Sequence, residues 1–319
     1  MAFILKWREC FKNLRVETGP KNHYCKRMDP QTEKFYQTLL ARIPKGDLSI
    51  AQIRFGFEKL MEGFPAQPDV HFQLLSIGKL SAAWVHAPGC TREKAILYFH
   101  GGGYISGSFH SHQDLIGRLA KATGCDVLAV DYRLAPEHPF PAALQDALAA
   151  YEFLRGEIPP QNIFVAGSSA GGGLALSLLL KLLDRKETLP RAAICISPWV
   201  DLAMTGKTLQ SNEGKDLIHA ENIKAAASIY LAGHSPKDPL ASPLYGKLEG
   251  LPPLLIHVGT HEVFLDEIEQ FAQKAKESKV KVKLQKFDEM IHTWHLFASM
   301  IPEGQKAFEK IGQFVRSHA

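Results

Sequence analysis

Hydrophobic positions change their period several times along the chain, and each change marks an element. In residues 1 to 27, Phe3, Ile4, Trp7, Phe11 and Leu14 recur at helical spacing until Gly19-Pro20 ends the pattern. Residues 32 to 63 read as helix of mixed polarity up to the break at Gly63-Phe64-Pro65. From Val70 the pattern shortens: Val70 to Ile77, Ala82 to His86 and Ala95 to His100 read as strands, the first two joined by a turn at Gly78-Lys79. Strands and helices then alternate: strand Val127 to Asp131, helix Pro141 to Leu154, strand Ile163 to Gly167, helix Gly171 to Leu183, strand Ala192 to Ser197. The series closes with strand Leu254 to Gly259, helix Val263 to Lys276, strand Val282 to Phe287 and a last helix from about Pro302. Several strands are unbroken apolar runs, which a parallel sheet requires when helices cover both of its faces. The fold class expected is α/β, a mostly parallel sheet with an antiparallel start. Between Asp201 and Ser242 the alternation lapses, so residues 1–65 and an insertion at about 203–240 are expected to cap an α/β domain spanning 66–319.

Composition narrows the function classes. The chain has 319 residues and is 45% hydrophobic, ample for a large core, and its net charge is only +4. Although residues 1 to 27 hold seven Lys or Arg against two Glu, the basic residues form no long run, and no nucleic-acid partner is expected. That amphipathic segment is expected to pack on the body or cover a site; contact with a membrane surface is the alternative. Cys10, Cys25, Cys90, Cys125 and Cys195 are odd in number and make no C-x-x-C pair, which fits reduced thiols. Charges interrupt the N-terminus too early for a signal-peptide core, and the longest apolar run, Leu174 to Leu183, contains Lys181. A cytoplasmic location without membrane insertion follows as the expectation.

Candidate chemistry centres on Gly167-Ser168-Ser169-Ala170-Gly171, set between an apolar strand and a helix. A serine on a tight strand-to-helix turn with small residues around it is the layout of a nucleophile elbow, and Ser169 is the expected nucleophile. His100-Gly101-Gly102-Gly103 follows another strand, where glycine amides can approach a developing oxyanion; Gly101, Gly102 and the amide of Ala170 are the expected donors. A general base must come from elsewhere, and His292 and His295 both follow the last strand. The orienting carboxylate is Glu262, after the strand Leu254 to Gly259, or Asp266 one turn further on. Other chemistries fit poorly. His261-Glu262 begins like H-E-x-x-H, but Leu265 stands where the second histidine should be; His110-Ser111-His112 has no evident third ligand; and neither glycine cluster completes a nucleotide-binding pattern. No cofactor and no metal are expected.

Five motifs, in order, resemble those of the hormone-sensitive-lipase-like carboxylesterases, a branch of the α/β-hydrolases. They are His100-Gly101-Gly102-Gly103-Tyr104, Asp131 through Ala142, the elbow, Ser197 through Leu202, and Met290 through His295. The resemblance implies an eight-stranded sheet, a helical cap and hydrolysis of short- to medium-chain acyl esters. Matched residue by residue, it makes Ser169 the nucleophile, Glu262 the acid and His292 the base, and gives Asp131, Arg133 and Glu137 a bracing role beneath the oxyanion loop. Two positions depart from the commoner family pattern: Ser168 stands where many members have Asp, and Glu262-Val263 where many have Asp-Pro. The fold leaves a non-catalytic ligand receptor as a rival, and within hydrolases a deacetylase, lactonase or amidase. A small-molecule ester is the expected partner, with a homodimer left open.

Overall fold

The computed structural model describes residues 30–40 and 48–318. The amphipathic helix expected within residues 1 to 27 lies outside them. Two helices come first, α1 (Pro30–Leu40) and α2 (Ile50–Met61), where the sequence suggested one helical stretch. The second starts on a capping box: Ser49 Oγ accepts the Gln52 N–H while the Gln52 side chain accepts the Ser49 N–H, satisfying two amides that a helix start leaves bare.

Eight strands follow: β1 (His71–Ile77), β2 (Leu80–His86), β3 (Thr91–Phe99), β4 (Cys125–Asp131), β5 (Ile163–Ser168), β6 (Ala192–Ile196), β7 (Leu254–Gly259) and β8 (Val282–Phe287). They form one sheet in the order β1-β2-β4-β3-β5-β6-β7-β8, antiparallel between β1, β2 and β4 and parallel from β4 onward. β3 begins four residues before the apolar run that announces it. Thr91, Arg92 and Glu93 are exposed, and the register shifts between Thr91 and Ala95, so the early part of the strand carries no core signal.

Helices α3 (Gln113–Thr123) and α9 (Pro302–Ser317) lie on one face, and α4 (Ala142–Glu157), α5 (Ala170–Asp184) and α8 (Leu265–Glu277) on the other. Alternation along β3 shows why both faces stay dry: Ala95, Leu97 and Phe99 join the core with α4, α5 and α8, while Ile96 and Tyr98 join the core with α3 and α9. Burying Ile96, Leu97 and Phe99 in full contributes about 1.5–3 kcal/mol of hydrophobic stabilisation each. The short α6 (Thr208–Ser211) and α7 (Ala220–Leu231) occupy the stretch where the alternation lapsed. Tyr230 of α7 stacks on Tyr104, ring centroids 3.8 Å apart, which seats that helix over the loop after β3. No helix among the described residues is long and apolar enough to cross a membrane. Because β3, β5, β6 and β7 run parallel, the loops leaving their C-terminal ends gather at one edge, where this architecture places ligands.

Candidate active site

Ser169 sits between β5 and α5 with φ 54° and ψ −122°, a conformation L-residues rarely adopt. Its own backbone is pinned: the N–H donates to Ile196 O at 2.9 Å, and the carbonyl accepts from Gly173 and Trp199, each at 3.0 Å. The turn is closed so tightly that a Cβ on Gly171 would stand 2.1 Å from Phe99 O. Only glycine lets α5 start this close to β3, and the result is a hydroxyl raised at the head of a helix.

Opposite it stands His292, nearly buried, in the loop after β8. Ser169 Oγ and His292 Nε2 are 2.8 Å apart, and His292 Nδ1 lies 3.0 Å from Glu262 Oε2. Nδ1–H donates to the carboxylate, which leaves Nε2 to accept the serine proton. Glu262 is fully buried and its other oxygen accepts from Gly259 N–H at 2.6 Å and Ser197 Oγ–H at 2.7 Å. Burial pushes the Glu262 carboxyl up, opposed by those two donors. Burial likewise pushes the His292 imidazole down, opposed by the negative charge of Asp216, so the ring is neutral at rest and able to act as a base.

The competing residues point elsewhere. His295 is fully buried and pairs with His257, Nε2 to Nδ1 at 3.0 Å. Asp266 accepts from Lys207 N–H at 2.8 Å and from the Gln270 amide at 3.1 Å. The two histidines suggested as chelators also diverge, His110 toward Gln113 and His112 toward the glycine loop.

That last contact corrects one expectation. Gly101 N–H donates to His112 Nε2 at 3.1 Å, so that amide is already committed to a side chain. Gly102 and Gly103, in contrast, donate to no acceptor among the described residues, and Ala170 N–H is an unpaired amide at the start of α5. Gly102 is required where it stands: φ is 121° and a Cβ would lie 2.2 Å from Ser106 O. His112 holds its Nδ1 toward Ser108 O at 3.1 Å, which fixes Nε2 as the acceptor.

The bracing residues divide their work. Asp131 accepts Phe109 N–H at 2.7 Å in the segment that follows the glycine loop, and Glu137 pairs with Arg54 of α2. Arg54 also donates to Ile105 O at 2.8 Å and Ala135 O at 2.9 Å, tying α2 to the loop; nothing in the sequence singled it out. Arg133 turns away to Asp146 of α4, at 2.9 Å. Ser168 Oγ meets Tyr98 OH at 2.9 Å, which satisfies the hydroxyl that replaces the commoner Asp. Ser197, Asn212 and Asp216, missed as individual residues, surround the acid and the base.

Residues 96–296 match the model of a family described by its α/β-hydrolase fold. The chain belongs to the hormone-sensitive-lipase-like branch of the α/β-hydrolases. An acetyl-hydrolase of Streptomyces hygroscopicus is 41% identical over 266 residues, covering 83% of this chain and 89% of the relative. An esterase of Acinetobacter venetianus is 32% identical, covering 90% and 95%. Among solved structures, EstE5 soaked with p-nitrophenyl butyrate superposes with a TM-score of 0.88 at 41% identity over 91% of this chain and 99% of that one. An esterase from the bacterial hormone-sensitive lipase family gives 0.88 at 38% identity over 92% and 99%. This hydrolase is a carboxylic ester hydrolase, which sets aside the receptor reading.

Proposed function

We propose that the hydrolase is a serine carboxylesterase for short- to medium-chain acyl esters, working through an acyl-enzyme. Ser169 Oγ attacks the ester carbonyl carbon while His292 Nε2 takes its proton, and Glu262 stabilises the imidazolium. The N–H groups of Gly102, Gly103 and Ala170 receive the oxyanion. As the intermediate collapses, His292 returns the proton to the departing alkoxide, leaving the acyl group on Ser169. Water then attacks that ester with His292 again as base, and the acid departs with Ser169 restored.

The observation that carries this reading is the hydrogen-bonded line Ser169–His292–Glu262, at 2.8 and 3.0 Å. Residues 30–40 and 48–61, with the insertion at about 203–240, are proposed as the described part of a cap over that line. The Streptomyces relative is named an acetyl-hydrolase, which supports the short end of the acyl range. Free Cys90, Cys125 and Cys195 accord with a reducing, cytoplasmic setting. Hydrolysis of p-nitrophenyl esters from acetate to decanoate tests the reading. The expected optimum is butyrate or shorter, with kcat reduced at least about 10⁴-fold in Ser169→Ala. A Ser169→Ala chain within tenfold of the parent would exclude the mechanism.

A further inference from the structure

Asp216, in the loop between α6 and α7, is fully buried, yet its carboxylate meets no cationic side chain among the described residues. Main-chain donors fill it instead. Oδ1 accepts the N–H of His292 at 2.8 Å and of Leu217 at 2.7 Å; Oδ2 accepts the N–H of Val263 at 2.9 Å. Val263 directly follows Glu262. One carboxylate therefore joins the backbone of the acid-bearing loop to that of the base itself. Asn212 adds a neutral tie four residues earlier, its amide donating to the carbonyls of Thr260 at 3.0 Å and Glu262 at 2.9 Å.

A brace alone does not need a charge, and burying a carboxylate without a cation is costly unless the charge is used or fully hydrogen-bonded. The groups facing Asp216 are Glu262 and His292 from their loops and Tyr36 from α1. Neighbouring Lys215 points to Asn212 Oδ1 at 3.1 Å, His295 interacts electrostatically with His292, and Glu303 of α9 with Tyr36. His292 is the one among the three facing groups that gains positive charge during turnover. Burial pushes the Asp216 carboxyl up to about 6, opposed first by His292, so it is ionised at neutral pH. The influence is mutual, since the Asp216 charge opposes the effect of burial on His292.

We propose that Asp216 is a second carboxylate of the catalytic centre: a positioning residue that registers Glu262 against His292 and supports the imidazolium formed in turnover. The proposal rests on the serine-hydrolase reading above. Asp216→Asn keeps the shape, removes the charge and turns one acceptor into a donor facing an N–H. Loss of a negative charge disfavours the imidazolium, so the pKa of the base falls. On p-nitrophenyl butyrate, kcat is expected to drop about tenfold or more with KM within about threefold. The acid limb of kcat/KM is expected to move to lower pH by about 0.5–1 unit. Asn212→Ala, which cuts only the neutral tie, lowers kcat and leaves that limb in place. If Asp216→Asn does not fold, Asp216→Thr supplies the neutral chain for the same two readouts. A folded neutral variant with parental kcat overturns the proposal, and so does a lowered kcat with an unmoved acid limb, which marks a structural brace. Fluorophosphonate labelling of the parent separates the two levels: no label at Ser169 sinks the serine reading, whereas a labelled parent with indifferent Asp216 variants sinks this inference alone.

Discussion

Glu262→Gln isolates the contribution of the acid. Glu262 Oε1 accepts two donors, Gly259 N–H and Ser197 Oγ–H, whereas Oε2 accepts only His292 Nδ1–H. A glutamine oxygen is therefore drawn to the first position, which turns the NH2 group toward Nδ1. The imidazole then has to accept there and carry its proton on Nε2, the atom meant to receive the Ser169 proton. A hydrogen bond to a charged partner is worth about 1.5–3 kcal/mol, and restoring the working tautomer costs a similar amount, together about 3–6 kcal/mol. At about 1.4 kcal/mol per factor of ten, kcat/KM for p-nitrophenyl butyrate should fall about 10²–10⁴-fold. Stability should move the other way. Burial raises the folded-state carboxyl above its unfolded value, so ionising it costs stability as pH rises beyond that unfolded value, and a neutral isostere is free of this penalty at pH 7. The melting temperature of Glu262→Gln is expected to equal or exceed that of the parent. A variant retaining activity within tenfold would show that the carboxylate does not set the tautomer.

Three further outcomes follow from the same contacts. Because burial holds the His292 imidazole low, to about 4, the acid limb of kcat/KM should lie below the ordinary histidine value of about 6.5; a midpoint above 7 would contradict the assignment of the base. Arg54→Met removes the donors to Ile105 O and Ala135 O and releases Glu137, whose carboxyl the guanidinium holds down to about 2. It should lower kcat about tenfold while changing KM less, and an unchanged kcat would free the oxyanion loop from α2. Gly171→Ala should give little folded protein, measured as soluble yield and circular dichroism, because its Cβ meets Phe99 O at 2.1 Å; a well-folded variant would refute the close packing of α5 on β3.

The parallel strands could be read in the sequence because both faces of β4, β5, β6 and β7 are buried, which leaves near-continuous apolar runs. The start of β3 could not, since its first residues pair with a neighbour without covering core. Ser169 was legible for a local reason: the elbow needs small residues at fixed offsets. His292 and His295 differ by three positions in one loop, so spacing alone could not separate them; the family resemblance did, and the structure sends His295 to His257. The choice of Gly101 as an oxyanion donor failed because a run of three glycines says nothing about which amide a side chain eleven residues later will claim. Asp216 left no signal at all, being a single acid in a polar stretch whose partners lie 47 and 76 residues away.

The most direct measurement of the central claim is intact-mass analysis and peptide mapping after fluorophosphonate treatment, in the parent and in His292→Ala. One adduct is expected, on the peptide containing Ser169, forming at least about 10³-fold more slowly without the imidazole. An adduct on another residue, or a labelling rate indifferent to His292, would contradict it.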